Sequence, residues 1–160
     1  RLARTHRHSA LLLRGGESHL FEGEPIPGDA GPLGAYLYEP DGAVIRSGLV
    51  GPLAATVGAT LVDPQIAYLT CEEPLSTPFA TGFKILEVLP YSEKRLASAL
   101  AARGIGTLEI KKRGMDIDPA ALRPRLKLKG AGSATVILTR VDGARMAIIA
   151  ERVAQPATPR

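Results

Sequence analysis

The side chains best suited to chemistry here are cationic. Lys111-Lys112-Arg113-Gly114 and the set Arg123, Arg125, Lys127 and Lys129 are the two densest basic clusters of the 160-residue chain. Ammonium and guanidinium groups neutralise phosphates and release counterions, so such clusters point to binding a polyanion rather than to bond-making. If residues 123–129 are extended, the period of two puts all four charges on one face with Leu126 and Leu128 on the other. A helix over the same residues would turn Arg123 and Lys127 away from Arg125 and Lys129. Pro124, which disrupts a helix interior, favours the extended form. Aromatic residues are 4% of the sequence, so shape and backbone contact, not base stacking, would carry recognition of a nucleic acid. The bland alternative is a basic face that is simply solvated.

Other chemistries fail on spacing. A dinucleotide- or cofactor-binding turn needs glycines between a strand and a helix, whereas Gly104-Ile105-Gly106 follows a predicted helix and reads as its stop. No Gly-Lys-Ser/Thr occurs, which excludes a P-loop. His6 and His8 would share a face of a strand, with His19 nearby, but no paired cysteine or suitably spaced carboxylate accompanies them, so three solvated histidines and no metal are expected. Cys71, the single cysteine, lacks an activating partner and reads as a small buried hydrophobe. Glu72 and Glu73 are adjacent, and on extended backbone they point to opposite faces. No nucleophile, base and orienting group can be assembled, so neither catalytic nor cofactor-binding residues are expected in this chain.

The elements that must position the basic residues can be placed from pattern. Residues 8–14 and 18–21 joined by Gly15-Gly16 read as a β-hairpin, and the prolines and glycines of 25–34 as a loop or linker. An extended run over 35–39 precedes Asp41, a helix N-cap, and 42–57 divides into two short helices near Gly48, Gly51 and Pro52. Residues 66–71 and 83–89 read as strands, the second buried on both faces. Ser92 caps a helix over 93–103 that Gly104 ends. Residues 107–112 alternate as a half-buried strand, Asp118-Pro119 opens a short or kinked helix, and 134–140 and 145–153 form a hairpin through Asp142-Gly143. The expected fold is α+β: an N-terminal hairpin and short helices, then a β-α-β-α-β-β sheet domain. Its expected divisions are 1–34 (hairpin and linker), 35–81 (connecting region), 82–153 (sheet domain) and 154–160 (tail).

Charge is segregated along this order. Arg1, Arg4, Arg7 and Arg14 open the chain without an acid, residues 17–93 hold eleven acids against Arg46 and Lys84, and residues 94–160 hold fourteen bases against five acids. The longest apolar runs fall well short of the ~20 residues a membrane helix needs. The single cysteine and the absence of a signal-peptide pattern predict a cytoplasmic setting. An opening on Arg1 with no start-like feature predicts a piece of something longer.

Four segments carry a family resemblance: Tyr36-Leu-Tyr-Glu-Pro-Asp-Gly-Ala-Val-Ile-Arg-Ser-Gly-Leu49, Ile66-Ala-Tyr-Leu-Thr70, Lys84-Ile-Leu-Glu-Val-Leu-Pro90 and Gly106-Thr-Leu-Glu-Ile-Lys-Lys-Arg-Gly-Met-Asp-Ile-Asp-Pro119. In this order, over about 9–153, the chain resembles the THUMP-like C-terminal region of class I S-adenosylmethionine-dependent methyltransferases. The resemblance implies that a methyltransferase domain holding S-adenosylmethionine precedes this region, and that the substrate is RNA. Pro124 departs from the family pattern, which usually has a basic helical residue there. On this reading Lys111, Lys112, Arg113, Arg125, Lys127 and Lys129 engage phosphates. A second reading makes the region a docking or dimerisation module, with residues 36–49 against the catalytic domain or a second copy and Tyr38, Asp41 and Arg46 at the interface.

Overall fold

A computed structural model describes residues 7–155; His6, Arg1, Arg4 and the tail beyond Gln155 lie outside it. The chain forms two compact units, one running to Gly82 and taking in Ala154 onward, the other Phe83–Val153.

In the first unit β1 (His8–Arg14) and β2 (Glu17–Gly23) form the expected hairpin, with His8 opposite Gly23 and Arg14 opposite Glu17. The turn is possible because Gly15 and Gly16 both take positive φ, 59° and 81°. β3 (Tyr36–Pro40), β4 (Thr60–Asp63) and β5 (Ile66–Cys71) make an antiparallel group with β5 paired to both others. The Asp41 carboxylate accepts from the Ala43 N–H at 2.8 Å and so starts α1 (Gly42–Arg46); α2 (Val50–Val57) follows after Gly48 at φ 74°. Leu49, Leu53, Val44, Leu61 and Leu69 are the buried centre.

The second unit carries the basic residues. β6 (Ala80–Pro90), which begins in the last residues of the first unit, leads into α3 (Glu93–Ala102), β7 (Ile105–Arg113), α4 (Pro119–Leu126), β8 (Gly132–Val141) and β9 (Ala144–Arg152). This is the β-α-β-α-β-β order read from the sequence. The strands lie in the order β6-β9-β8-β7; β7 runs parallel to β8, and β9 is antiparallel to both β8 and β6. β6, β7 and β8 therefore end at the same edge of the sheet, and α3 and α4 start there. One face packs Leu108, Val136, Leu138, Ala147 and Ile149 against Leu96 and Leu100 of α3 and Leu122 and Leu126 of α4. Burial of β6 is less complete than its apolar run suggests: Phe83 is fully buried, but Lys84 and Val88 are exposed.

One expectation is corrected here. Residues 123–126 are helical, not extended, and Pro124 sits inside α4. The proline removes a single backbone donor two residues before the helix ends, while Pro119 at the first position and the Asp118 cap fix its start. Leu122 and Leu126, four apart, are 0% and 3% exposed, and their burial outweighs local propensity.

Candidate nucleic-acid interface

Because 123–126 are helical, the four-charge stripe does not form. Arg125 instead reaches α3, donating to both carboxylate oxygens of Glu93 at 2.8 and 3.0 Å. That fork of hydrogen bonds holds the Glu93 carboxyl below its usual range and raises the Arg125 guanidinium. Arg123 turns toward the sheet and donates to the Leu108 carbonyl. β7 is an edge strand, so this contact occupies a backbone acceptor that would otherwise lie open to another chain. Lys127 ends the helix in left-handed backbone at φ 50°, and Lys127 and Lys129 are both exposed.

The β7 cluster divides across the sheet because neighbours on a strand face opposite ways. Lys111 shares a face with Glu109, 3.5 Å away, and lies 5.8 Å from the Phe83 ring centre. Arg113 is half-buried, and its carbonyl accepts from the Thr139 hydroxyl. Lys112 faces the other side, in line with Leu108 and Ile110, and is exposed. Lys112 and Lys127/Lys129 also sit at opposite ends of the strands: Lys112 pairs with Leu138, while Lys129 precedes β8, which starts at Gly132. Six residues of β8 separate those ends, roughly 20 Å at about 3.3 Å per residue.

Glu109 is the most heavily used carboxylate of the unit. Arg152 donates to both its oxygens at 2.7 and 3.1 Å, and Thr135 donates at 3.3 Å. The Arg152 hydrogen bonds hold the Glu109 carboxyl below its ordinary value of 4.5, against a smaller opposing effect of burial. A carboxylate whose folded pKa is lowered stabilises the fold fully above its unfolded value and loses that contribution as pH falls through the folded value. Glu109→Gln should therefore be less stable than the parent chain at neutral pH, with the gap closing as pH drops below about 4.5. Urea midpoints for both chains from pH 7 to pH 3 check this; a gap independent of pH would contradict it.

The first unit places its candidates differently. Tyr38 is 2% exposed; its hydroxyl donates to the Leu75 carbonyl at 3.2 Å and accepts from the Leu75 N–H at 2.7 Å. Asp41 is engaged as the α1 cap and lies 3.8 Å from Arg14, and Arg46 is exposed at the helix end. Cys71 is half-buried, with burial and the Glu72 and Glu73 charges pushing its thiol up, away from the reactive thiolate. A groove of about 400 Å³ lined by Phe21, Leu53, Val57, Pro74, Leu75 and Phe79 offers no titratable side chain. Among the described residues no three His, Cys, Asp or Glu come together to hold a metal, and no helix is long and apolar enough to cross a membrane.

Sequence reasoning missed two contributors. Arg140 and Arg145 stand directly opposite each other on β8 and β9. Their faces follow from the alternation that buries Val136, Leu138, Ala147 and Ile149 under the helices, and it is the face of Lys112. The Arg145 guanidinium stacks 5.1 Å from the Tyr91 ring centre. The only signal in the sequence is the Asp142-Gly143 turn, which fixes the register that sets Arg140 against Arg145.

Comparison with known proteins agrees with this β-α-β-α-β-β arrangement. The family model described as THUMP domain-like matches residues 80–152. Over those residues the chain is similar to THUMP-like domains. Two relatives, from Mycobacterium tuberculosis strains CDC 1551 / Oshkosh and ATCC 25618 / H37Rv, each described as an uncharacterized S-adenosylmethionine-dependent methyltransferase, are 40% identical over 152 residues. The alignment covers 94% of this chain but 41% of each relative, so the chain spans about two fifths of their length. A crystal structure of a protein assigned as a methyltransferase from Porphyromonas gingivalis W83 superposes with a TM-score of 0.70 at 22% identity, covering 91% of this chain and 38% of that one. At that identity the likeness is one of fold.

Proposed function

We propose that this chain is the RNA-recognition part of a longer S-adenosylmethionine-dependent methyltransferase acting in the cytoplasm, and that it is not catalytic alone. The observation that carries the proposal is charge segregation between the two units. Phe83–Val153 holds fourteen Lys and Arg against seven Asp and Glu, whereas residues 7–82 hold three against nine. A surface of the second composition repels phosphate and one of the first attracts it. The methyltransferase descriptions of the longer relatives supply the reaction class. S-Adenosylmethionine would be held by the part of the longer protein that this chain does not span, since no Gly-rich strand-to-helix turn occurs here. Of the basic residues, Lys112, Lys127 and Lys129 are exposed and meet phosphates directly, while Lys111, Arg113 and Arg125 sit among intramolecular contacts and shape the local field.

Binding of a fluorescein-labelled RNA hairpin to the 160-residue chain, followed by anisotropy over a salt series, tests the proposal. A linear fall of log K with log salt, at about 0.7–0.9 per phosphate contacted, is expected. No binding at low salt would overturn it.

The docking reading rests on the hairpin, not on Tyr38. Leu11 and Leu20 are opposite each other in register, and with Leu13 they are 57%, 58% and 79% exposed. Apolar residues clustered on an exposed face commonly mark a protein contact. The methyltransferase domain is the partner this reading calls for, and failure of that domain, added in trans, to bind the chain would remove it.

A further inference from the structure

Most guanidinium groups of the second unit that reach another element are already committed. Arg103 pairs with Glu87, Arg125 with Glu93 and Arg152 with Glu109, and Arg123 caps a carbonyl of β7. Lys112, Arg140 and Arg145 differ. They come from three adjacent strands, point to one face, and have no carboxylate within salt-bridge distance among the described residues. Register fixes the grouping: Arg140 is opposite Arg145, and Lys112 is opposite Leu138, one step along the same face from Arg140. The Nε of Arg140 is buried and has no hydrogen-bond partner.

Like charges directly opposite on neighbouring strands destabilise a sheet. A third cation beside them, with none neutralised by the protein, leaves a local positive field that an anion would relieve. The position suits one. β7 and β8 end here, β6 ends alongside with Pro90 opposite Met146, and Tyr91 donates to the Arg145 carbonyl as the chain enters α3. The first turns of α3 and α4 lie at the same edge, but Glu93 in the first turn of α3 and the Asp118 cap of α4 already occupy their N-termini, so the positive field there comes from Lys112, Arg140 and Arg145. Gly114, at φ 77° and exposed, lets the chain turn away after Arg113 without a side chain over this edge.

We infer that Lys112, Arg140 and Arg145 form a phosphate-binding site for the backbone of RNA at the carboxyl edge of β7 and β8. The ligand's identity rests on the function proposed above, and the site itself on register and the lack of carboxylate partners. Stacking on Tyr91 orients the Arg145 guanidinium, which can then present two donors to one phosphate.

The test compares the full chain, its K112Q/R140Q/R145Q variant and an Arg46→Gln control, each titrated with the same labelled RNA hairpin across a salt series. The triple variant is expected to lose about two to three contacts' worth of salt slope, at about 0.7–0.9 each, and at least about tenfold in affinity near 0.1 M salt. The control is expected to match the parent. Because the triple change removes like-charge repulsion, its melting temperature should be no lower than the parent's. If the triple variant does not fold, R145Q alone, at an exposed position, should reduce the slope by about one contact. A parent that binds RNA with a variant of equal affinity and slope would overturn the site and leave the proposed function standing. A parent that does not bind would overturn the function, and the site with it.

Discussion

Gly106→Val is expected to abolish the stability of the Phe83–Val153 unit. A Cβ at Gly106 would run into the Gly130 carbonyl, and one at Gly130 would run into the Gly104 carbonyl. Gly130 itself sits at φ 140°, where a side chain is strained whatever the space, and the Gly132 N–H donates to the Gly104 carbonyl at 2.9 Å. These glycines let the chain leaving α3 and the chain entering β8 touch backbone to backbone, which sets the parallel start of β7 against β8. No rotamer change relieves a collision with backbone, so the cost should exceed about 4 kcal/mol, among the largest single-residue effects. Gly58→Ala is the graded companion: its φ is 74° but nothing lies near its Cβ, so only about 1 kcal/mol is expected. Urea unfolding of both variants checks this. A Gly106→Val chain within about 1 kcal/mol of the parent would show that the strands can part at this point without cost.

Tyr38→Ala comes next in size and decides between two roles for this residue. The ring lies on β3 inside the core of the first unit, and a Cβ on Gly82 would strike it, so the space around it is already filled. Emptying that space should cost about 3–5 kcal/mol. Tyr38→Phe keeps the ring but leaves the Leu75 N–H and carbonyl without the hydroxyl, which should cost about 1–3 kcal/mol. Thermal melts of both variants, with the Phe form between the parent and the Ala form, are the expected outcome. An unchanged melting temperature for Tyr38→Ala would mean that Tyr38 is presented to a partner instead of to its own core.

Much of the fold is legible in the sequence because it is written in local chemistry. Asp41, Ser92 and Asp118 each start a helix by accepting a backbone N–H within their own first turn, and Gly15-Gly16 and Asp142-Gly143 turn hairpins through positive φ. What local chemistry does not determine is less legible. β4 is four residues long and is a strand because Leu61 and its neighbours pair with β5; nothing in Thr60–Asp63 alone separates it from the loop. Residues 123–126 combine a helix breaker with two leucines four apart, and only packing under the sheet decides between them.

The candidate site follows the same division. Charge segregation and the runs at 111–113 and 123–129 are visible in the chain. Their partition is not, because Glu93 lies 32 residues from Arg125, and Glu109 lies 43 from Arg152. The gathering of Lys112, Arg140 and Arg145 depends on the parallel register of β7 with β8. That register is set by the whole β-α-β-α-β-β topology, so spacing in the sequence gives no sign of it.

The central claim, that RNA is met by the basic second unit, is tested most directly by amide chemical-shift mapping of the labelled chain during titration with an RNA hairpin. Shifts concentrated within Phe83–Val153, largest around Lys112, Arg140 and Arg145 and reversed by salt, are the predicted result. Shifts confined to residues 7–82, or none at low salt, would contradict it.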